Sequence, residues 1–178
     1  FDGSISRDAT ALVRCTADRH LFVPMYVTAE GEELPTIWLR PEKAPKGWRM
    51  PRLEIVRAWR QVFKRYDVGR WLGDPPKWQT EQESLAEEFG DEVVVFFDTN
   101  QPKRMSGACD RFTTAYADKD DPLSHDGNAV LVEHLVAMVR KKAYVKGEDE
   151  TDGRTRYVFD KPDDGRKVDA GIAAVLAL

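Results

Sequence analysis

Cysteine is scarce in this 178-residue sequence: Cys15 and Cys109 are the two present, and they show no CxxC spacing. That excludes a disulfide framework built within these residues and a cysteine-rich zinc site. It fits a reducing, cytosolic-type setting. No run of ~18 apolar residues occurs, so no helix is predicted to span a membrane. No signal-peptide pattern is visible. No GxxxxGK[ST] phosphate loop is found either, which leaves no basis for a nucleotide-driven motor in these residues. Overall positive charge is missing as well. The formal net charge is −4, so the whole chain is not a basic nucleic-acid binder. No internal repeat is seen. What remains is 42% hydrophobic, enough for one globular domain with a real core.

Charge is unevenly spread. Residues 40–70 hold ten Lys and Arg against three Asp and Glu, whereas residues 79–98 hold seven acids and no base. A basic segment on a slightly acidic domain suggests a local patch for a polyanion, and a solvated helix face is the competing reading. Both ends read as cut. Phe1 to Ser4 begins where a strand would be finishing, and Leu178 lies inside an apolar stretch. The expectation is a single domain over 1–178, excised from a longer protein.

Alternation and β-branched content predict strands over 10–17 and 21–29, joined by a short polar turn. Pro24 places an edge or bulge in the second. Residues 30–34 read as a turn, and 36–40 as a third strand of an antiparallel meander. Pro51 suits the first turn of a helix reaching Tyr66, with Leu53, Val56, Trp59 and Phe63 at helical spacing. A short strand over 68–72 ends at Gly73-Asp74-Pro75-Pro76. An amphipathic helix over 78–89 precedes VVVFF (93–97), typical of a strand buried on both faces. Helices follow over 102–117 (inward face Met105, Cys109, Phe112, Tyr116) and 128–139 (inward face Leu131, Leu135, Met138). Residues 146–154 read as a charged mobile loop and 156–159 as a short extended piece. From Val168 onward every residue is apolar or small except Asp169, the mark of a buried helix. The predicted class is mixed α/β, an antiparallel meander plus parallel strands, flanked by helices on both faces.

A carboxylate on a buried helix is expensive unless something pairs it, hydrogen-bonds it or binds a metal to it. Two other acids occupy positions from which they can meet Asp169. Asp2 ends the first strand, and Asp74 follows the strand over 68–72, at the carboxyl end where ligands of α/β sheets gather. Three packed carboxylates cannot all stay ionised without a cation. Oxygen-only ligands suit Mg²⁺ or Mn²⁺, and a pair of such ions about 4 Å apart can stabilise in-line phosphodiester displacement. Each acid also has a plainer reading. Asp2 and Asp74 suit turns beside Gly3 and Pro75, and Asp169 suits a helix first turn.

Four blocks carry a family resemblance: FDGSISRDATAL (1–12), GRWLGDPPKW (69–78), LSHDGNAVLVEHLVAMV (123–139) and DKPDDGRKVDAGIAAVLAL (160–178). Through them the sequence resembles the C-terminal nuclease domain of tailed-phage large terminases, within the RNase H-like superfamily. The resemblance implies an RNase H-like sheet and a metal-dependent endonuclease that cuts double-stranded viral DNA concatemers during packaging. It implies two divalent cations, Mg²⁺ or Mn²⁺, held by Asp2, Asp74 and Asp169, with Asp8 as an auxiliary ligand. Lys161 would steady the scissile phosphate. The implied partners are the ATPase motor domain of the same protein, the small terminase subunit and the capsid portal. The implied location is the host cytoplasm and, transiently, the procapsid.

The basic segment supplies the expected phosphate contacts: Arg49, Arg52, Arg57, Arg60 and Lys64. Trp59 is expected in the core, and His125 as a structural histidine of its turn. Two alternatives stay open. One is another RNase H-like nuclease of the junction-resolvase or integrase type. The other is a non-catalytic module that docks on DNA or the portal.

Overall fold

A computed structural model describes residues 1–6, 8–145 and 154–178, with the backbone alone at Arg154. Its described residues form a mixed α/β fold of five helices and several small sheets. The chain opens with β1 (Asp2–Gly3), β2 (Thr10–Ala11), β3 (Arg14–Cys15), β4 (His20–Phe22), β5 (Met25–Val27), β6 (Glu33–Pro35) and β7 (Ile37–Trp38). Then come α1 (Arg52–Arg65), β8 (Trp71–Gly73), α2 (Gln79–Phe89), β9 (Val94–Phe96), α3 (Pro102–Ala117) and β10 (Ser124–His125). The chain closes with α4 (Ala129–Ala137), β11 (Val139–Val145), β12 (Arg154–Asp160) and α5 (Asp169–Ala177).

The opening meander is antiparallel. Asp2 pairs with Ala11, and Thr10 pairs with Trp38. β8 and β9 run parallel, with Trp71 opposite Val94. Two backbone hydrogen bonds bring these groups together. The Phe1 nitrogen donates to the Leu72 carbonyl at 2.6 Å, and the Asp74 N–H donates to the Phe1 carbonyl at 3.2 Å. β1 is therefore bordered by β2 on one side and β8 on the other. The ends of β1 and β8, with Asp2 and Asp74, lie beside each other.

Successive residues of one extended segment enter two different cores. Leu12 joins Trp38, Ile55, Ala58, Trp59, Val62, Trp71, Trp78 and Leu85, beneath α1 and α2. Ala11 and Val13 join Met105, Cys109, Phe112, Leu131 and most of α5. Side chains along this extended segment therefore alternate between a core under α1 and α2 and a core under α3 to α5. The first core is aromatic. Phe1 meets Trp59 edge-on at 4.7 Å between centroids and Trp78 at 5.4 Å, and stacks on Trp71 at 5.9 Å. A Cβ at Gly3 would stand 2.5 Å from the Phe1 ring and 2.6 Å from Trp78, so the chain must be glycine there.

Several predicted boundaries shift for identifiable reasons. The strand expected over 10–17 is interrupted at Leu12 and Val13, where the Leu12 carbonyl accepts from the Thr36 hydroxyl instead of a ladder partner. The strand over 21–29 divides at Pro24, as expected of a residue without an N–H. Part of the expected 30–34 turn is strand β6, paired with β5. Leu53 is 80% exposed, and the buried face of α1 is Ile55, Ala58, Trp59 and Val62. Tyr116 is likewise 76% exposed at the end of α3. The turn expected around Ser124 and His125 is a short strand parallel to β4. The extended piece over 156–159 is half of a seven-by-seven-residue antiparallel ribbon, β11 with β12. Residues 146–153 of the expected loop lie outside the described residues, and Arg154 already belongs to β12.

Candidate functional site

A cleft of about 530 Å³ is lined by Asp2, Asp8, Asp74 and Asp169, together with Lys77, Thr99 and the end of β12. Four of the predicted site acids thus meet in one place. They arrive from the first strand, the loop after it, the end of β8 and the start of α5.

Each acid is held differently. Asp74 receives the Thr99 N–H on Oδ1 and the Thr99 hydroxyl on Oδ2, both at 3.0 Å. Burial still pushes its pKa above the ordinary carboxylate value, with the Thr99 hydrogen bonds pulling the other way. Asp169 is 8% exposed and accepts the Ala9 N–H on Oδ2 at 3.3 Å. It stands in the first turn of α5, where the helix dipole favours a negative charge. Desolvation nevertheless moves it up to about 6. Asp2 is pushed up to about 8, by burial first and then by the charges of Asp169 and Asp74. Asp8 behaves differently. Burial opposes its ionisation, but Lys167 at 2.7 Å and Lys161 at 3.6 Å outweigh that and hold it below its ordinary value. The plainer reading of Asp169 as a first-turn acid is therefore true of its place on the helix. It does not explain why the carboxylate is buried beside another strained acid.

α5 delivers Asp169 because α4 lets it approach closely. A Cβ on Gly171 would lie 2.9 Å from Met138 Sδ and 3.1 Å from the His134 carbonyl. The next backbone group is fixed as well: the Ala170 N–H donates to Nδ1 of buried His134 at 3.1 Å. α4 is itself capped by Asn128, whose Oδ1 accepts from the Val130 and Leu131 N–H groups.

Oxygen-only donors raised by burial and mutual repulsion fit a hard divalent cation, because positive charge relieves both effects. Among the described residues no group of three or more His, Cys, Asp or Glu side chains stands close enough together to hold a metal ion. The four carboxylates line the walls of one cleft.

Lys161 lies at this site through Asp8, and also pairs with Asp164 at 3.3 Å. None of Arg49, Arg52, Arg57, Arg60 and Lys64 lines the cleft. Two of them are engaged elsewhere. Arg52 Nε donates to Glu81 at 2.8 Å, its guanidinium lies 4.5 Å from the Trp78 ring centroid, and it also donates to the Lys77 carbonyl. Arg60 pairs with Glu88. The acid-rich stretch 79–98 thus supplies counter-charge to α1. Arg49, Arg57 and Lys64 remain exposed. Trp59 is fully buried, as expected. His125 sits in β10, accepts the Gly127 N–H on Nδ1 and is absent from the cleft.

Three residues of the site carried no recognised signal. Thr99 follows the buried strand β9, and its position after a strand end is the one available clue. Lys77 lines the cleft with a left-handed backbone, φ 71°, rare for a side chain of this size. His134 is a polar residue on an otherwise apolar helix face.

No family model matches the chain, and no solved structure matches it. Among curated proteins it is 30% identical over 187 residues to the Gene 13 protein of Mycobacterium phage D29. It is 29% identical over 187 residues to the Gene 13 protein of Mycobacterium phage L5. Each alignment takes in 99% of this chain and 28% of the relative. Among the described residues no helix is long and apolar enough to cross a membrane. The chain is therefore similar, over nearly its whole length, to a little over a quarter of each of two bacteriophage proteins.

Proposed function

We propose that this chain is the RNase H-like nuclease domain of a phage terminase large subunit. Its activity would be metal-dependent hydrolysis of double-stranded viral DNA concatemers during genome packaging. The observation that carries the reading is the meeting of Asp2, Asp74 and Asp169 in one cleft, from segments far apart in sequence, with two of them pushed well above the usual carboxylate range. An antiparallel meander bordered by parallel strands, with helices on both faces, supports the RNase H-like assignment. The phage relatives, much longer than this chain, suit a domain that works beside an ATPase motor. The small terminase subunit, the portal and the procapsid in the host cytoplasm belong to the same proposal.

Asp2, Asp74 and Asp169 would hold two divalent cations, Mg²⁺ or Mn²⁺, with Asp8 auxiliary. When bound, such ions polarise the attacking water and offset charge on the scissile phosphate. The chain's own residues prepare the rest. Thr99 fixes both oxygens of Asp74, so that carboxylate needs no reordering when it is engaged. The Ala9 N–H and the Asp169 carboxylate tie the loop after β1 to α5. Lys77 at the rim and Lys161 beside Asp8 place positive charge where phosphate oxygens arrive. No histidine base is required.

The test is plasmid cleavage in Mg²⁺ and in Mn²⁺. Wild-type protein is expected to nick and linearise supercoiled plasmid, and Asp74→Asn to lose the activity while keeping its far-ultraviolet circular dichroism. Full cutting by Asp74→Asn sinks the assignment.

A further inference from the structure

The ribbon β11–β12 is rooted in the wall of the acidic cleft. Val158, Phe159 and Asp160 line that cleft. The Phe159 N–H donates to Cys109 Sγ of α3 at 3.2 Å, and its ring meets Phe112 edge-on. Beyond this root most of the ribbon is exposed. Its two faces differ in charge. Register places Arg140 opposite Phe159, Lys142 opposite Tyr157 and Tyr144 opposite Thr155. Opposed residues share a face, as do alternate residues along a strand. One face therefore carries Arg140, Lys142, Tyr144 and Tyr157 with no carboxylate among them. Two cations of the other face are paired: Lys141 with Asp160 at 2.8 Å, and Arg156 with Asp110 of α3 at 3.5 Å.

On the carboxylate-free face, the Arg140 guanidinium lies 4.7 Å from the Tyr157 ring centroid, and Tyr144 is 64% exposed. Two cations and two aromatic rings in open solvent are the chemistry of a phosphodiester backbone contact. A two-stranded ribbon is also narrow enough to enter the major groove of B-form DNA. On α1, by contrast, Arg52 and Arg60 spend their charge on α2.

We infer that the Arg140/Lys142/Tyr144/Tyr157 face of this ribbon, whose root alone reaches the acidic cleft, grips duplex DNA. This rests on the nuclease reading for its choice of partner. The contact is confined to 139–145 and 155–160. The sequence between the strands carries Glu148, Asp149, Glu150 and Asp152 against Lys146, a charge balance that opposes phosphate.

The experiment is fluorescence anisotropy of a 30-base-pair duplex with the 178-residue chain in EDTA, titrated over a range of salt. Arg140→Ala/Lys142→Ala is expected to weaken binding at least tenfold. It is also expected to flatten the slope of log affinity against log salt by about 1.8, the loss of two phosphate contacts. Tyr144→Ala is expected to weaken binding about fivefold with the slope kept. Arg140→Lys/Lys142→Arg, which conserves charge, is expected to retain the wild-type slope. A double alanine variant with wild-type affinity and slope overturns the inference and leaves the ribbon to a protein partner. Absence of duplex binding by the wild-type chain overturns it too. If wild type cuts plasmid but the slope never moves, the ribbon assignment alone falls. If the slope moves but no divalent ion supports cutting, the nuclease reading falls and the ribbon contact stands.

Discussion

Asp2→Asn should make the metal-free protein more stable, although it removes a central group of the site. Asp2 is moved from 3.8 to about 8, chiefly by burial. A carboxyl raised in the folded state holds its proton more tightly there than in the unfolded chain. Its contribution is complete below about pH 4 and is lost as pH climbs towards 8. Linkage sets the lost stability at no more than about 4 kcal/mol near pH 7. Water in the cleft screens the charge, and about 2 kcal/mol is the working figure. Asparagine keeps the shape and never ionises. In EDTA, the variant should melt about 4–8 °C above wild type at pH 7.5. The gap should shrink to about a quarter of that by pH 4.5. Added Mn²⁺ should raise the wild-type melting temperature by mass action and leave the variant nearly unmoved. Thermal melts followed by circular dichroism from pH 4.5 to 8.5 measure all three. A variant that melts at or below wild type throughout refutes the reasoning, because Asp2 would then be satisfied without a cation.

Thr99→Val removes one of two hydrogen bonds that hold Asp74 down. The acid limb of the cleavage pH profile should therefore move alkaline, read from initial rates between pH 5.5 and 9. Arg52→Ala loses the Glu81 pair, the Trp78 contact and the bond to the Lys77 carbonyl. It should cost about 1–3 kcal/mol in urea denaturation while duplex affinity in EDTA stays unchanged. His134→Leu strands the Ala170 N–H in the core and should cost about 1–3 kcal/mol. His134→Asn, which retains an acceptor, should recover part of that loss in the same urea titration.

Much of this arrangement was legible in the sequence where one residue broke a pattern. An apolar helix with a single acid drew attention to Asp169, and the structure buries that acid beside Asp2. A strand closing on Gly73-Asp74-Pro75 gave the second wall of the cleft. The ribbon was not legible. VRKKAYV has no alternation because neither of its faces is fully buried, so nothing in it separates strand from loop. Charge counts along a chain place Arg52 and Arg60 in a basic segment without revealing which acids face which bases. Their partners sit 28 or 29 residues away, on α2. Leu53 illustrates the same limit: helical spacing gives a stripe, and packing against Trp71 and Trp78 decides which stripe turns inward.

The pairing of β1 with β8 and of Ala9 with Asp169 has a consequence for when the site comes into being. One contact closes a loop of 71 residues and the other a loop of 160. Long loops close late and slowly, and a ribosome delivers the chain from its first residue onward. Asp2 emerges at the start of this stretch, yet it meets its last partner only after α5 has been made. While it is being synthesised the domain holds an incomplete set of acids. On the nuclease reading, cutting activity is withheld from every nascent chain by the order of its own residues, and no inhibitor is needed to protect the DNA until α5 docks.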